Sequence, residues 1–159
     1  MNYKKLIYSN GFELENIIEI CLKKLGATIK EEKYGNEEYV MIHKDNEYLI
    51  EAKGKEKSIK LVDVRQLLDH ILDAENKTDQ SFKGILFGNS WRNHPLDERG
   101  TEENIEFIDM VIDRAVKNDI ALVSYKDFFN QICKFLDGDK TGEKILDEIV
   151  KAEGIVNFN

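Results

Sequence analysis

Two short runs, Gly84 to Gly88 (GILFG) and Ile120 to Ser124 (IALVS), are apolar without alternation. A strand that shows no polar face is covered on both sides, the pattern of a buried strand in a sheet layered with helices. Each run follows a helical pattern. Val64, Leu67, Leu68, Ile71 and Leu72 form the apolar stripe of a helix over Leu61 to Ala74, and Ile105, Ile108, Val111, Ile112 and Ala115 that of a helix over Glu102 to Lys117. Upstream, Leu14, Ile17, Ile18, Cys21, Leu22 and Leu25 predict a helix over Phe12 to Leu25, with Gly26 as its C-cap and Ser9 or Asn10 before it. A short strand, Ala27 to Lys30, follows. Glu38 to His43 (EYVMIH) and Tyr48 to Lys53 (YLIEAK) flank Lys44-Asp45-Asn46-Glu47 and read as a hairpin. Helices over Lys126 to Leu136 and Thr141 to Ala152 close the order α-β-β-β-α-β-α-β-α-α. A hairpin followed by α-β crossovers implies an α/β chain with a mixed sheet and helices on both faces.

With 159 residues, 42% apolar and 34% charged, the chain reads as one soluble domain over 1–159, whole or cut from something larger. No apolar stretch approaches the roughly 18–20 residues that span a bilayer, and MNYKKLIYSNG lacks a signal peptide's apolar core. Cys21 and Cys133 fall far apart in helical segments and read as packed thiols in a reduced, cytoplasmic setting. A net charge of −8 argues against coating nucleic acid by bulk electrostatics. It leaves room for one local patch, and Lys53, Lys55, Lys57, Lys60 and Arg65 fall in thirteen residues against Glu56 and Asp63.

That patch begins at Glu51-Ala52-Lys53. On a strand, residues two apart project from one face, so a carboxylate and an amine stand together at the end of an apolar run. Magnesium-assisted hydrolysis of a phosphodiester needs hard oxygen ligands at about 2.0–2.1 Å and leaves the remaining positions to water and substrate. Glu51 and the backbone carbonyl of Ala52 are such oxygens, and a lysine beside the ion can orient water and offset charge in the transition state. An acid-x-Lys triplet occurs three times, at 31–33, 51–53 and 75–77, but only the middle one ends an apolar strand. Glu38 opens the partner strand, where its side chain could meet Glu51. The adjacent Glu37 is the alternative, although its parity directs it to the other face.

A helix, a hairpin whose second strand ends in E-x-K, a helix and another strand resemble the PD-(D/E)xK, restriction-endonuclease-like nucleases. The resemblance runs from about Gly11 to Ser124 and is most specific at YLIEAKGK, residues 48–55. It implies a restriction-endonuclease-like αβββαβ core with flanking helices, a Mg2+ or Mn2+ ion, and hydrolysis of phosphodiester bonds, in DNA rather than RNA. Carried over, Glu51 is a metal ligand and Lys53 the lysine that assists the attacking water. Glu38 stands where the family usually has aspartate. Family members often add a glutamate from the first helix; Glu15 borders the Leu14/Ile18/Leu22 stripe, while Glu13 flanks its other edge and Glu19 lies further round. VRQLLDH resembles the Q-x-x-x-Y helix of exonuclease-type relatives, with Gln66 matching and His70 in place of tyrosine; both point away from the expected core stripe.

The loop GNSWRNHPLDERG follows a buried strand, a usual position for ligand residues. It resembles a G-N-x-x-R-x-x-P loop of relatives of these nucleases. Arg92 could grip a phosphate, Trp91 stack on a base and Asn89 hydrogen-bond near the metal, with Lys55, Lys57, Arg65 and Gln66 as further substrate contacts. The structural alternative pairs Arg92 and Arg99 with Asp97, Glu98 or a neighbouring helix and uses Trp91 to seal the core edge. His43, His70 and His94 show no zinc spacing, and neither a phosphate-binding glycine loop nor a G-x-S-x-G elbow is present. The remaining readings are a nuclease-fold module without catalysis that binds nucleic acid or assembles a complex, and an adaptor that forms a homodimer or meets a partner domain.

Overall fold

The computed structural model describes residues 2–30 and 39–159. Along the chain run α1 (Lys5–Tyr8), α2 (Gly11–Leu25), β1 (Thr28–Lys30), β2 (Tyr39–His43), β3 (Asn46–Gly54), α3 (Leu61–Thr78), β4 (Lys83–Asn89), α4 (Asp109–Lys117), β5 (Ala121–Ser124), α5 (Tyr125–Leu136), α6 (Gly142–Lys151) and β6 (Gly154–Ile155). The six strands form one sheet in sequence order, with β1, β2 and β3 antiparallel and β3 through β6 parallel. This is the mixed α/β architecture expected from the sequence.

The uninterrupted apolar runs are buried on both faces as expected. Ile85, Phe87, Ala121 and Val123 pack with α2, α5 and α6 on one side. Leu86 and Leu122 pack with Val64, Leu67, Val111 and Ala115 of α3 and α4 on the other. β3 obeys the same alternation: Ile50 and Ala52 join the α2 side and Leu49 the α3 side. Glu51 and Lys53 share the parity of Leu49, so the strand directs both toward α3.

Several local features differ from expectation. The hairpin turn is the two-residue Lys44-Asp45, both with positive φ (49° and 65°), and Asn46 already pairs with His43. Positive φ at both central positions is the type I′ geometry that matches strand twist. The tip is tied to α6: His43 Nε2 lies 2.7 Å and Lys44 Nζ 2.9 Å from the Asp147 carboxylate. The helix expected from Glu102 begins only at Asp109. The carbonyl of Glu106 accepts from Ile59 N and Ser90 Oγ, and that of Ile105 from Trp91 Nε1, so neither can start a helical ladder. Phe107 is buried there, whereas Ile105 is exposed; Leu72, expected in the α3 stripe, is exposed too, and Ala74 takes its place. Cys21 is packed and its thiol is pushed up to about 12 by burial. Cys133 is exposed, because its neighbour Ile132 occupies the core-facing side of α5 and a helix turns about 100° per residue. The short α1 and β6 carry too few residues for a periodic signal.

Two glycines set how the α2 layer sits. A Cβ on Gly54 would fall 2.6 Å from Asn10 Cβ, so β3 passes hard against the start of α2 immediately after Lys53. A Cβ on Gly142 would lie 2.1 Å from the Leu25 carbonyl oxygen, backbone against backbone. Gly142→Ala must push α6 away from α2 and is expected to cost about 1–3 kcal/mol, read as a lower urea midpoint at unchanged slope.

Candidate active site

The end of β3 places a carboxylate and an amine under α3. Glu51 is 1% exposed and Lys53 is half-buried. Glu51 Oε1 makes a short contact with His70 Nδ1, and Lys53 Nζ donates to Gln66 Oε1 at 2.6 Å. The spacings explain the match. Two residues of strand advance about 6.6 Å and four residues of helix about 6 Å, so an i,i+2 pair on β3 meets an i,i+4 pair on α3 rung by rung. The order is crossed, first with last, because α3 runs back antiparallel to β3. Gln66 and His70 lie off the apolar stripe, as the sequence indicated, and that is what brings them to the strand end.

Glu38, expected opposite Glu51, and its neighbour Glu37 lie outside the described residues; the described β2–β3 ladder closes with Tyr39 opposite Ile50. Glu15 belongs to α2, whose apolar face packs on the opposite side of the sheet, and it makes no hydrogen bond or ion pair with Glu51 or Lys53. Among the described residues, no three of His, Cys, Asp and Glu stand together as a metal site.

The basic segment after Lys53 is stitched to the loop after β4. Lys55 N donates to Asn89 O (2.9 Å), Arg92 N to Lys55 O (3.0 Å) and Trp91 N to Lys57 O (3.2 Å). The structure thereby gathers Lys55, Lys57, Asn89, Trp91 and Arg92 at one end of the sheet. Their side chains differ in availability. Lys55 Nζ lies 2.9 Å from Asp63, a carboxylate that is 2% exposed and also accepts from Lys60 N at the start of α3. Arg92 reaches Glu56 at 3.5 Å, not Asp97 or Glu98. Arg65 and Lys57 are exposed, without a side-chain partner among the described residues.

Asn89 is fully buried, with both ends of its amide occupied: Nδ2 donates to Ser9 O (2.9 Å) and Oδ1 accepts from Arg99 Nη1 (3.0 Å). Arg99 is 2% exposed and also donates to the carbonyls of Ile7 (2.7 Å), His94 (2.9 Å) and Arg92 (2.8 Å). Its ring neighbour is Tyr8, 5.5 Å from the guanidinium carbon. Asn89 and Arg99 therefore form a polar knot that fixes the loop to the α1–α2 junction. Their loop position gave no sequence signal for this role, because all but one of the acceptors are backbone carbonyls.

Glu106 adjoins the knot. It accepts from Ser124 Oγ at 2.8 Å, and burial raises its carboxyl above the ordinary 4.5. A raised folded-state value means that the folded protein holds this proton more tightly than the unfolded chain. The resulting stabilisation is complete below about pH 4.5 and is lost as pH rises through the folded value. Glu106→Gln is expected to flatten that part of the stability–pH curve, measured by urea unfolding between pH 4 and 8.

No family model and no curated protein matches the chain. Among solved structures, it superposes on the restriction endonuclease FokI with a TM-score of 0.66 at 14% identity. The fold is restriction-endonuclease-like. The superposition covers 98% of this chain and 31% of the FokI chain, so the chain spans about a third of FokI's length. No described helix is long and apolar enough to cross a membrane.

Proposed function

We propose that the chain is a metal-dependent nuclease that hydrolyses phosphodiester bonds, in DNA rather than RNA. The observation that carries this reading is the buried Glu51 carboxylate, with Lys53 two residues on along the same face, at the end of a central strand in a restriction-endonuclease-like fold. A buried carboxylate is costly unless it is paired, and His70 pairs with this one from α3. The donor set suits a hard cation: Glu51, the Ala52 carbonyl and, from the sequence, Glu38 would hold Mg2+ or Mn2+. When bound, the ion would polarise phosphoryl oxygens and lower the pKa of a water.

The chain's own groups divide the remaining work. His70 fixes the Glu51 carboxylate in one orientation. Gln66 holds the Lys53 ammonium, with a second bond free to reach water or a phosphate oxygen. Lys57 and Arg65 supply charge for neighbouring phosphates. Incubation of purified protein with Mn2+ and labelled single- and double-stranded DNA is expected to give cleavage that EDTA stops. Absence of cleavage on every DNA and RNA tested would remove this reading.

The close engagement of Glu51 by His70 favours one alternative, a nuclease-fold module that binds nucleic acid without cutting it. Calorimetry separates the two. The nuclease binds Mn2+ with a heat that Glu51→Ala abolishes, whereas the module binds none.

A further inference from the structure

Beside the basic segment lies a groove of about 500 Å³ lined by Lys57, Lys60, Leu61, Val62, Trp91 and Ile108. Its floor is apolar, and Val62 is 51% exposed within it. Two lysines stand at its edge, and neither side chain has a partner among the described residues. Trp91 is held there at some cost. Its φ of 54° is in the left-handed region, which a bulky residue seldom occupies. Its indole N–H is spent on Ile105 O at 2.9 Å, and its ring meets His94 edge-on with centroids 5.2 Å apart. An indole with its polar atom satisfied and its ring in an apolar groove is suited to stacking, and lysines at the edge suit an anion. The groove lies near the site: Leu61, which lines it, is five residues before Gln66 on α3, about 8 Å along the helix.

We infer that this groove receives one unpaired nucleobase of the bound strand, stacked on Trp91, with the flanking phosphates at Lys57 and Lys60. The preferred substrate then has an unpaired nucleotide near the scissile bond: a single strand, an overhang or a flap, rather than a blunt duplex. The inference rests on the nucleic-acid reading of the site and deepens it by naming the substrate class. A base in a paired duplex has no free face to offer.

Trp91 is the chain's single tryptophan, so intrinsic fluorescence reports on the groove directly. In EDTA, a (dT)12 oligonucleotide is expected to quench its emission, and a blunt duplex to leave it unchanged. Binding followed by the anisotropy of a labelled oligonucleotide should weaken roughly ten- to hundredfold in Trp91→Ala and be largely retained in Trp91→Phe. Lys57→Gln with Lys60→Gln should lower the slope of log affinity against log salt by roughly 1.4, about 0.7 per phosphate on a single strand. Three results would overturn the inference: oligonucleotide binding with no change in Trp91 emission, equal quenching by duplex, or an emission change on dilution of the protein alone, which would give the groove to a second copy. Cleavage without quenching sinks the groove and leaves the nuclease reading standing. Quenching without cleavage does the reverse.

Discussion

Lys53→Ala is expected to lower Mn2+-dependent DNA cleavage by at least about 10²–10³-fold while the protein stays folded. The two halves of that expectation come from different observations. The ammonium has one described partner, Gln66 at 2.6 Å, in an exposed hydrogen bond of the kind that contributes about 1 kcal/mol. Its removal should therefore leave the far-UV spectrum intact and the melting temperature within a few degrees. An activity loss of that size cannot be ascribed to unfolding. Lys53→Arg sharpens the test, because a guanidinium keeps the charge but is planar and holds its proton too firmly to act as a point donor. Restoration of less than a tenth of the activity is expected. Full activity in Lys53→Ala, with cleavage still stopped by EDTA, would take the lysine out of the reaction.

The second large effect concerns Arg99. Replacing it by alanine strands the carbonyls of Ile7, Arg92 and His94 and the Asn89 amide oxygen inside the protein. Each unsatisfied buried acceptor costs about 1–3 kcal/mol, and with partial relaxation the expected loss is about 3 kcal/mol or more. Chemical denaturation should show it as a lower midpoint. Arg99→Lys should recover less than half, because one ammonium cannot span acceptors on three segments. An Arg99→Ala protein as stable as the parent would mean that the knot is not what holds the loop.

The contrast between these residues explains how far the sequence could be read. Glu51 and Lys53 were legible because strand parity and an apolar run place them together with no tertiary information. Gln66 and His70 were visible as an i,i+4 pair, but their meeting with β3 depends on how α3 folds back across the sheet. For Arg99 the sequence left Asp97, Glu98 or a neighbouring helix open as partners, and the helix α1 is among those it meets, through the Ile7 carbonyl. Its actual acceptors are carbonyls of segments up to 92 residues away, and carbonyls leave no mark on a sequence. The start of α4 was set too early for the same reason. Glu102 to Ile108 has helical spacing, yet the carbonyls of Ile105 and Glu106 are claimed by Trp91, Ile59 and Ser90.

The clasp between the hairpin tip and α6 bears on the order in which the molecule is assembled. His43 and Asp147 are separated by 104 residues, so the near end of β3 is anchored by a helix made about a hundred residues later. Closing so long a loop adds only a logarithmic entropy cost, but contacts of this span form late. Until that helix docks, Glu51 and Lys53 sit on a hairpin whose tip is still free to splay. The strand that presents them is braced at both ends only once α6 has docked on the hairpin tip.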